Sequence, residues 1–166
     1  ARPFPYLSCA RKVNNLHRSM KSGRHPVSIP ISSFSPEDAL VALMVTVSFS
    51  DETVRTAELM AIDRQVGHLP VFATYDYDRI REVAQTVIAL LEEEDGLDAL
   101  FGLIRDSLPE RLYETAYAMA CDVAAADGKL GQPELRMLEE IRHELNIDRL
   151  HAAAIERGAR ARHLTI

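Results

Sequence analysis

The hydrophobic residues recur at helical spacing in seven segments between residue 35 and the end of the chain. Apolar positions lie three and four apart, as on the buried face of a helix, and the alternating pattern of a β-strand is missing. The predicted helices cover residues 36–49, 56–67, 76–93, 97–108, 109–126, 133–145 and 148–160. The pattern therefore predicts an all-α protein, a single helical bundle of about seven helices.

The first and last predicted helices carry capping signals. Ser35 precedes Pro36, and a serine side chain accepts hydrogen bonds from the first free backbone N–H groups while proline suits the first helical position. Asp148 is placed in the same way before the last helix. Residues 39–49 are nearly all apolar, which predicts a helix that is buried on every side.

The first 34 residues differ in composition from the rest of the chain. Residues 1–36 contain six Lys and Arg and no Asp or Glu, whereas the whole chain carries a net charge of -6. Gly, Pro and Ser are frequent just before Ser35, as in linkers. We therefore expect a flexible basic arm over residues 1–34 and an acidic helical domain over residues 35–166. The acidic domain is not expected to bind nucleic acid, because phosphates repel it.

The helical region contains an internal repeat with an offset of 76 positions. Asp51 aligns with Asp127, Glu58 with Glu134, and Leu59 with Leu135. In both copies a buried helix ends, an acidic turn follows and an amphipathic helix begins. We therefore expect two pseudo-symmetric halves, about 35–94 and 109–166, which pack against each other because neither buries its apolar face alone.

The second acidic turn has the spacing of the latter half of a calcium-binding EF-hand loop. Asp127, Gly128 and Glu134 match loop positions 5, 6 and 12, but Val123 and Ala125 stand where the first two carboxylates belong. A reduced divalent-cation site with Asp122 on the preceding helix is one interpretation. The alternative is structural: the acidic residues cap the next helix and Gly128 takes a positive φ.

Other candidate chemistry is largely excluded by the sequence. Cys9 and Cys121 share no short motif, and Cys121 lies in an apolar run typical of a core position. Zinc-protease, Walker and nucleophile-elbow motifs are missing, which favours a non-enzymatic protein. No apolar run is long enough to span a membrane. The expected location is the cytoplasm, with peripheral attachment to the inner membrane as an alternative.

A family resemblance rests on residues 124–148, which read AAADGKLGQPELRMLEEIRHELNID. This run resembles the ADG-x-x-x-x-x-E-L-x-x-L signature of the TerB tellurite-resistance family, and residues 50–59 resemble a first copy of it. The resemblance extends over about residues 35–164. It implies a helical bundle of two pseudo-symmetric halves whose acidic turns bind divalent cations, calcium especially. On this chain the implied metal ligands are Asp51, Glu58, Asp127 and Glu134.

The function implied by the resemblance is a non-enzymatic role in bacterial stress response and tellurite resistance. Weak cation binding at the acidic turns would act together with a protein partner, with the membrane face as one possible place of contact. Because Glu52 replaces the turn glycine in the first copy, the second copy is the better candidate for binding. The alternative function is a metal-free helical protein-interaction module. The sequence does not indicate the oligomeric state.

Overall fold

The computed structural model describes residues 33–50, 55–128 and 130–166, and this part of the chain forms seven α-helices and no β-strand. The helices are α1 (Pro36–Ser48), α2 (Thr56–His68), α3 (Arg79–Leu91), α4 (Gly96–Ser107), α5 (Tyr113–Ala124), α6 (Gln132–Glu144) and α7 (Arg149–Arg162). Short 3₁₀ helices cover Pro70–Phe72 and Glu110–Leu112. The predicted all-α bundle of about seven helices is confirmed.

Helix α1 forms the centre of the bundle. Every residue from Ala39 to Val47 is buried, and α1 packs against α2, α3, α4, α5 and α6. Its start is fixed as the sequence predicts, because the Ser35 hydroxyl accepts a hydrogen bond from the Asp38 backbone N–H. Asp148 caps α7 in the same way, accepting from the backbone N–H of Leu150 at 2.8 Å.

The helix bounds follow the repeat. Helices α2 and α6 both contain 13 residues, and their first residues, Thr56 and Gln132, are 76 positions apart. The packing corresponds as well: α1 contacts α3 as α5 contacts α7, and α1 contacts α6 as α5 contacts α2. The two sets of three helices therefore meet around the α1–α5 pair, with α4 connecting them and packing on α1 and α3.

The largest difference from the predicted bounds lies at Pro109, where the sequence predicts the start of a helix. Pro109 is extended, with ψ 137°, and it precedes a single 3₁₀ turn. Leu112 then has ψ 0°, so the α-helical hydrogen bonding begins only at Tyr113. Helix α5 ends at Ala124, two residues before the predicted end, and Asp127 lies in a turn closed by a hydrogen bond from the Gly128 N–H to the Ala125 carbonyl at 3.0 Å.

The predicted basic arm lies outside the described residues except for Ser33 and Phe34. Phe34 is buried against the core, so the packed region begins one residue before the cap of α1. None of the helices in the described ranges is both long and apolar enough to cross a membrane.

Candidate functional site at the acidic turns

The first acidic turn is described from Arg55 onward, so the predicted ligand Asp51 lies outside the described residues. Arg55 immediately precedes α2, with extended backbone at φ -92° and ψ 146°. Its backbone N–H donates to Glu58 Oε2 at 3.0 Å. Glu58 is only 2% exposed, although it is charged and lies in the first turn of the helix. One carboxylate oxygen of Glu58 therefore caps the backbone locally, as the structural interpretation predicts.

The second acidic turn is built with two glycines. Gly128 has φ +74°, which confirms the predicted positive φ and explains why glycine suits this position. Gly131 precedes α6, and a Cβ atom added there would lie 2.5 Å from Glu134 Oε2. Glu134 is 1% exposed. Its carboxylate therefore takes space that the missing side chain of residue 131 leaves open.

The two turns meet at the Arg55 guanidinium. Arg55 Nη1 lies 3.0 Å from Asp127 Oδ2 and donates to it, and the same nitrogen lies 3.1 Å from Glu134 Oε1. Glu58 Oε1 is 3.7 Å from this nitrogen. The structure thus brings three of the predicted site residues, Glu58, Asp127 and Glu134, around one cationic side chain that the sequence analysis did not identify.

Asp122, which the sequence places beside the second turn, points to a different neighbour. Its Oδ1 accepts hydrogen bonds from Arg162 Nη2 at 2.7 Å and from Arg162 Nε at 3.2 Å, and it lies 3.4 Å from His163 Nε2. These contacts tie the end of α5 to the end of α7. The acid therefore anchors the last helix and is separate from the group around Arg55.

One oxygen of the site has no partner. Within the described residues, Glu134 Oε2 is buried and makes no hydrogen bond, although Oε1 of the same carboxylate is paired with Arg55. An orphaned buried carboxylate oxygen is costly, so it needs a physical explanation. Gly131 supplies only part of it: the missing Cβ makes room for the oxygen but gives it no hydrogen-bond donor.

A divalent cation could bind at this point only by displacing the Arg55 guanidinium from the Asp127 and Glu134 oxygens. Calcium binds six to eight oxygens at about 2.3–2.6 Å, and a guanidinium nitrogen lies where the Asp127 and Glu134 oxygens converge. Across residues 33–50, 55–128 and 130–166, no three or more His, Cys, Asp or Glu side chains are grouped to hold a metal ion. Arg55 itself supplies the positive charge at this point.

A second candidate site is an open groove of about 860 Å³ between α5, α6 and α7. Three of its apolar residues, Leu130, Leu135 and Leu164, are exposed large hydrophobic side chains. Charges of both signs line it, namely Glu139, Glu156, Arg157 and Arg160. The groove is therefore amphipathic, with apolar side chains accessible to a ligand.

The groove also contains two buried polar groups that are held in their neutral forms. The Tyr117 hydroxyl donates to Glu156 Oε1 at 2.6 Å, and burial together with this carboxylate raises the pKa of Tyr117 well above its usual value. Burial, followed by the charges of Glu156 and Asp122, raises the pKa of the Cys121 thiol to about 12. The thiol therefore stays protonated at neutral pH and is a poor nucleophile, in line with the predicted core position.

A further buried ionic group, which the sequence analysis missed, lies between α1 and α3. Asp38 is fully buried and accepts from the Ser35 backbone N–H, the Tyr75 hydroxyl and Arg79 Nε and Nη2 at 2.6–3.0 Å. Burial acts to raise the pKa of Asp38, but the hydrogen bonds from Arg79, Ser35 and Tyr75 outweigh it and hold the pKa below its usual value. The only signal in the sequence was an acid in the first turn of a helix.

The Arg55 contacts could have been suspected from the repeat. Arg55 aligns with Gly131, so only one half provides a cationic side chain at a position where both halves have a buried glutamate three residues later. Because both halves keep the glutamate and only the first half has the arginine, this arginine is expected to pair with acidic residues of both halves. The partners, however, are 72 and 79 residues away, beyond the reach of local patterns.

Comparison with known proteins agrees with this architecture. The family model described as tellurite resistance protein TerB matches residues 37–157, which include every helix from α2 to α6 and most of α1 and α7. Neither a curated protein nor a solved structure matches the chain significantly. The family match extends over well more than half of the sequence, and the chain therefore belongs to the TerB family of tellurite resistance proteins.

Proposed function

We propose that this protein is a non-enzymatic member of the bacterial tellurite and stress response that binds an amphipathic helix of a protein partner in the groove between α5, α6 and α7. A contrast between the repeats carries the proposal. Leu59 of the first half is 7% exposed, whereas its counterpart Leu135 in the groove is 41% exposed. The second half thus presents apolar surface that the first half buries.

The size and charge of the groove favour a helix as the occupant. The groove, at about 860 Å³, is large enough to receive one face of a helix about 10 Å wide. The apolar floor suits residues at helical spacing on a partner. Of the charged residues in the groove, Glu139 is paired with Arg142 and Glu156 is bonded to Tyr117. Arg157 and Arg160 therefore favour acidic residues beside the apolar face of the partner, because opposite charges at a rim select the partner and its orientation.

The binding proposal is testable with a designed peptide. The probe is an amphipathic helical peptide with leucines on one face and glutamates on the other, and its scrambled version is the control. We expect amide NMR shifts confined to α5, α6 and α7, and their loss in Leu135→Glu. The matched control is Met60→Glu, since Met60 is exposed on α2 outside the groove. Binding that survives Leu135→Glu would contradict the proposal.

The biological role has a parallel test. In a tellurite-sensitive bacterial host, the wild-type gene and Met60→Glu should raise tellurite tolerance, whereas Leu135→Glu should not. Equal protein levels, checked by immunoblotting, would exclude a folding defect as the reason. If Leu135→Glu gave full tolerance, the groove would not be required for tellurite resistance.

A second candidate function is weak binding of calcium or another divalent cation at the second acidic turn. The buried Oε2 of Glu134 favours it, because this oxygen has no hydrogen-bond partner within the described ranges and its lone pairs are available to a cation. We expect millimolar calcium to move the amide signals from Asp127 to Glu134, and Asp127→Asn with Glu134→Gln to abolish the effect. Unmoved amides at millimolar calcium would rule out this candidate, with sodium chloride at matched ionic strength as the control.

A further inference from the structure

The acidic centre is defined here as Glu58, Asp127, Glu134 and the Arg55 guanidinium between them. Its carboxylates come from both halves of the repeat, and Asp127 and Glu134 both contact the same nitrogen, Nη1, at 3.0 and 3.1 Å. Among the described members of this centre, three negative charges meet one positive charge. The glutamate side chains are almost fully buried, whereas the Arg55 side chain is 36% exposed.

This asymmetry in exposure indicates how the centre can change. A buried carboxylate without a cation is strongly unfavourable, so some positive charge must stay near Glu58 and Glu134. Arg55 reaches the centre from the solvent side, and its long side chain can leave without unfolding a helix. The carboxylates are fixed on α2 and α6, whereas the cation is the replaceable part.

We propose that Arg55 is the built-in cation of the acidic centre and that it competes with a divalent cation for the carboxylates of both halves. This inference rests on the second candidate function, weak cation binding at the same turns. In the wild-type chain the guanidinium occupies the point where the oxygens converge, which keeps the affinity for free cations low. When Arg55 is removed, Asp127 Oδ2 and Glu134 Oε1 lose the nitrogen that both contact, and Glu134 Oε2 still has no hydrogen-bond partner among the described residues.

The repeat explains why only one arginine is present. Gly131 is the counterpart of Arg55, and even a Cβ atom there would approach Glu134 Oε2 to 2.5 Å. A side chain on both halves would therefore crowd the centre. A single guanidinium from the first half serves the glutamates of both halves and links α2 to the turn before α6.

The test compares the full chain with Arg55→Gln in calcium chloride titrations at constant ionic strength, followed by amide NMR and by the melting temperature. We expect Arg55→Gln to bind calcium about tenfold more tightly or better, the scale set by one unit charge a few ångströms away. Without calcium its melting temperature should be lower than that of the wild type, and calcium should restore it. Adding Glu134→Gln to this variant should abolish the gain. The matched control is Arg105→Gln, which removes an arginine paired with Glu144 at another place.

The outcomes separate the two ideas. If the wild type and Arg55→Gln bind calcium equally well, competition is wrong while weak cation binding survives. If neither binds calcium, both are wrong. Should Arg55→Gln fail to fold, the wild-type titration still decides: the Arg55 Nε–H signal must move with the same midpoint as the Asp127–Glu134 amides. A guanidinium signal that stays in place while those amides move overturns the inference.

Discussion

Two buried ionic groups, one around Asp38 at the start of α1 and one around Arg55 at the start of α2, differ in how completely their carboxylates are hydrogen-bonded. At the Asp38 group, one carboxylate receives donors from Ser35, Tyr75 and Arg79, so both of its oxygens are satisfied. At the acidic centre, Arg55 is shared by several carboxylates, and one oxygen of Glu134 has no hydrogen-bond partner among the residues that the structure describes. The first group is saturated and the second is not.

This difference in hydrogen bonding distinguishes the structural role of the Asp38 group from the binding role proposed for the acidic centre. A saturated buried carboxylate adds rigidity and fixes the packing of α3 on the start of α1, but it has no capacity for another ligand. Among the described residues of the acidic centre, three carboxylates surround one arginine, and the proposed cation binding rests on this difference. The candidate binding site in this chain is therefore chosen by an unsatisfied buried oxygen and not by burial of charge alone.

Asp38→Ala should have the largest effect on stability. The change removes the carboxylate that accepts from the Ser35 N–H in the capping box of α1 and that pairs with Arg79, and we expect the free energy of unfolding to fall by about 3 kcal/mol. Arg79 is partly exposed, so water solvates its guanidinium after the change and reduces the loss of stability. Urea unfolding measures the loss. The control is Glu82→Ala, whose exposed pair with Arg79 should contribute at most about 1 kcal/mol. Equal losses in both variants would remove the distinction.

Gly131→Ala should have the next largest effect, because the new Cβ meets Glu134 Oε2 at 2.5 Å. We expect a loss of about 1–3 kcal/mol in unfolding free energy, as for other overpacked sites. Gly102→Ala is the matched control: it lies inside α4 with open space around its Cβ, and it should stabilise the helix by about 0.5–1 kcal/mol. A stabilising Gly131→Ala would show that the glutamate adapts freely.

A smaller effect should appear as a pH dependence of stability. The pKa of Asp38 in the folded chain lies below its usual value of 3.8, so its stabilisation is present above that pH and is lost as pH falls through the folded pKa. Urea midpoints measured from about pH 5 down to about pH 2 should fall more steeply for the wild type than for Asp38→Asn. Parallel curves would mean that this ionisation does not support the fold.

The smallest effect on stability is expected at an exposed ion pair, which serves as a reference for the effects at the two buried ionic groups. The His151 ring lies 2.6 Å from Glu114, and this hydrogen bond and charge raise the pKa of the histidine above 6.5. Its stabilisation is therefore present below pH 6.5 and is lost as pH rises through the folded pKa. An NMR titration should show the His151 midpoint falling in Glu114→Gln. If the midpoint does not change, a neighbour other than Glu114 raises the pKa of His151.

The fold was largely predictable because its determinants are local. Apolar spacing and caps such as Ser35 and Asp148 act within a few residues, and they placed all seven helices in the described chain. The repeat added the position of the two buried glutamates, Glu58 and Glu134, since an acid at the same helix start in both halves stood out against the variable apolar residues.

The site was only partly predictable because its contacts are distant in sequence. Arg55 reaches Asp127 and Glu134 across the two halves, and no periodicity links positions 72 and 79 residues apart. Asp122 was expected at the acidic turn because it is close to it in sequence, but its carboxylate instead pairs with Arg162 at the end of α7. The burial of Asp38 likewise depends on Arg79, 41 residues further along.

The position of α1 determines how the protein can unfold. Helices from both halves cover the apolar surface of α1, so removing either half would expose a large part of this surface to water. We therefore expect that the two halves, although they repeat one pattern of helices, do not fold independently. Native-state hydrogen exchange should therefore show the amides of α1 and α5 opening together, at the free energy of global unfolding. A gene fragment that encodes one half would yield a chain without a stable native state.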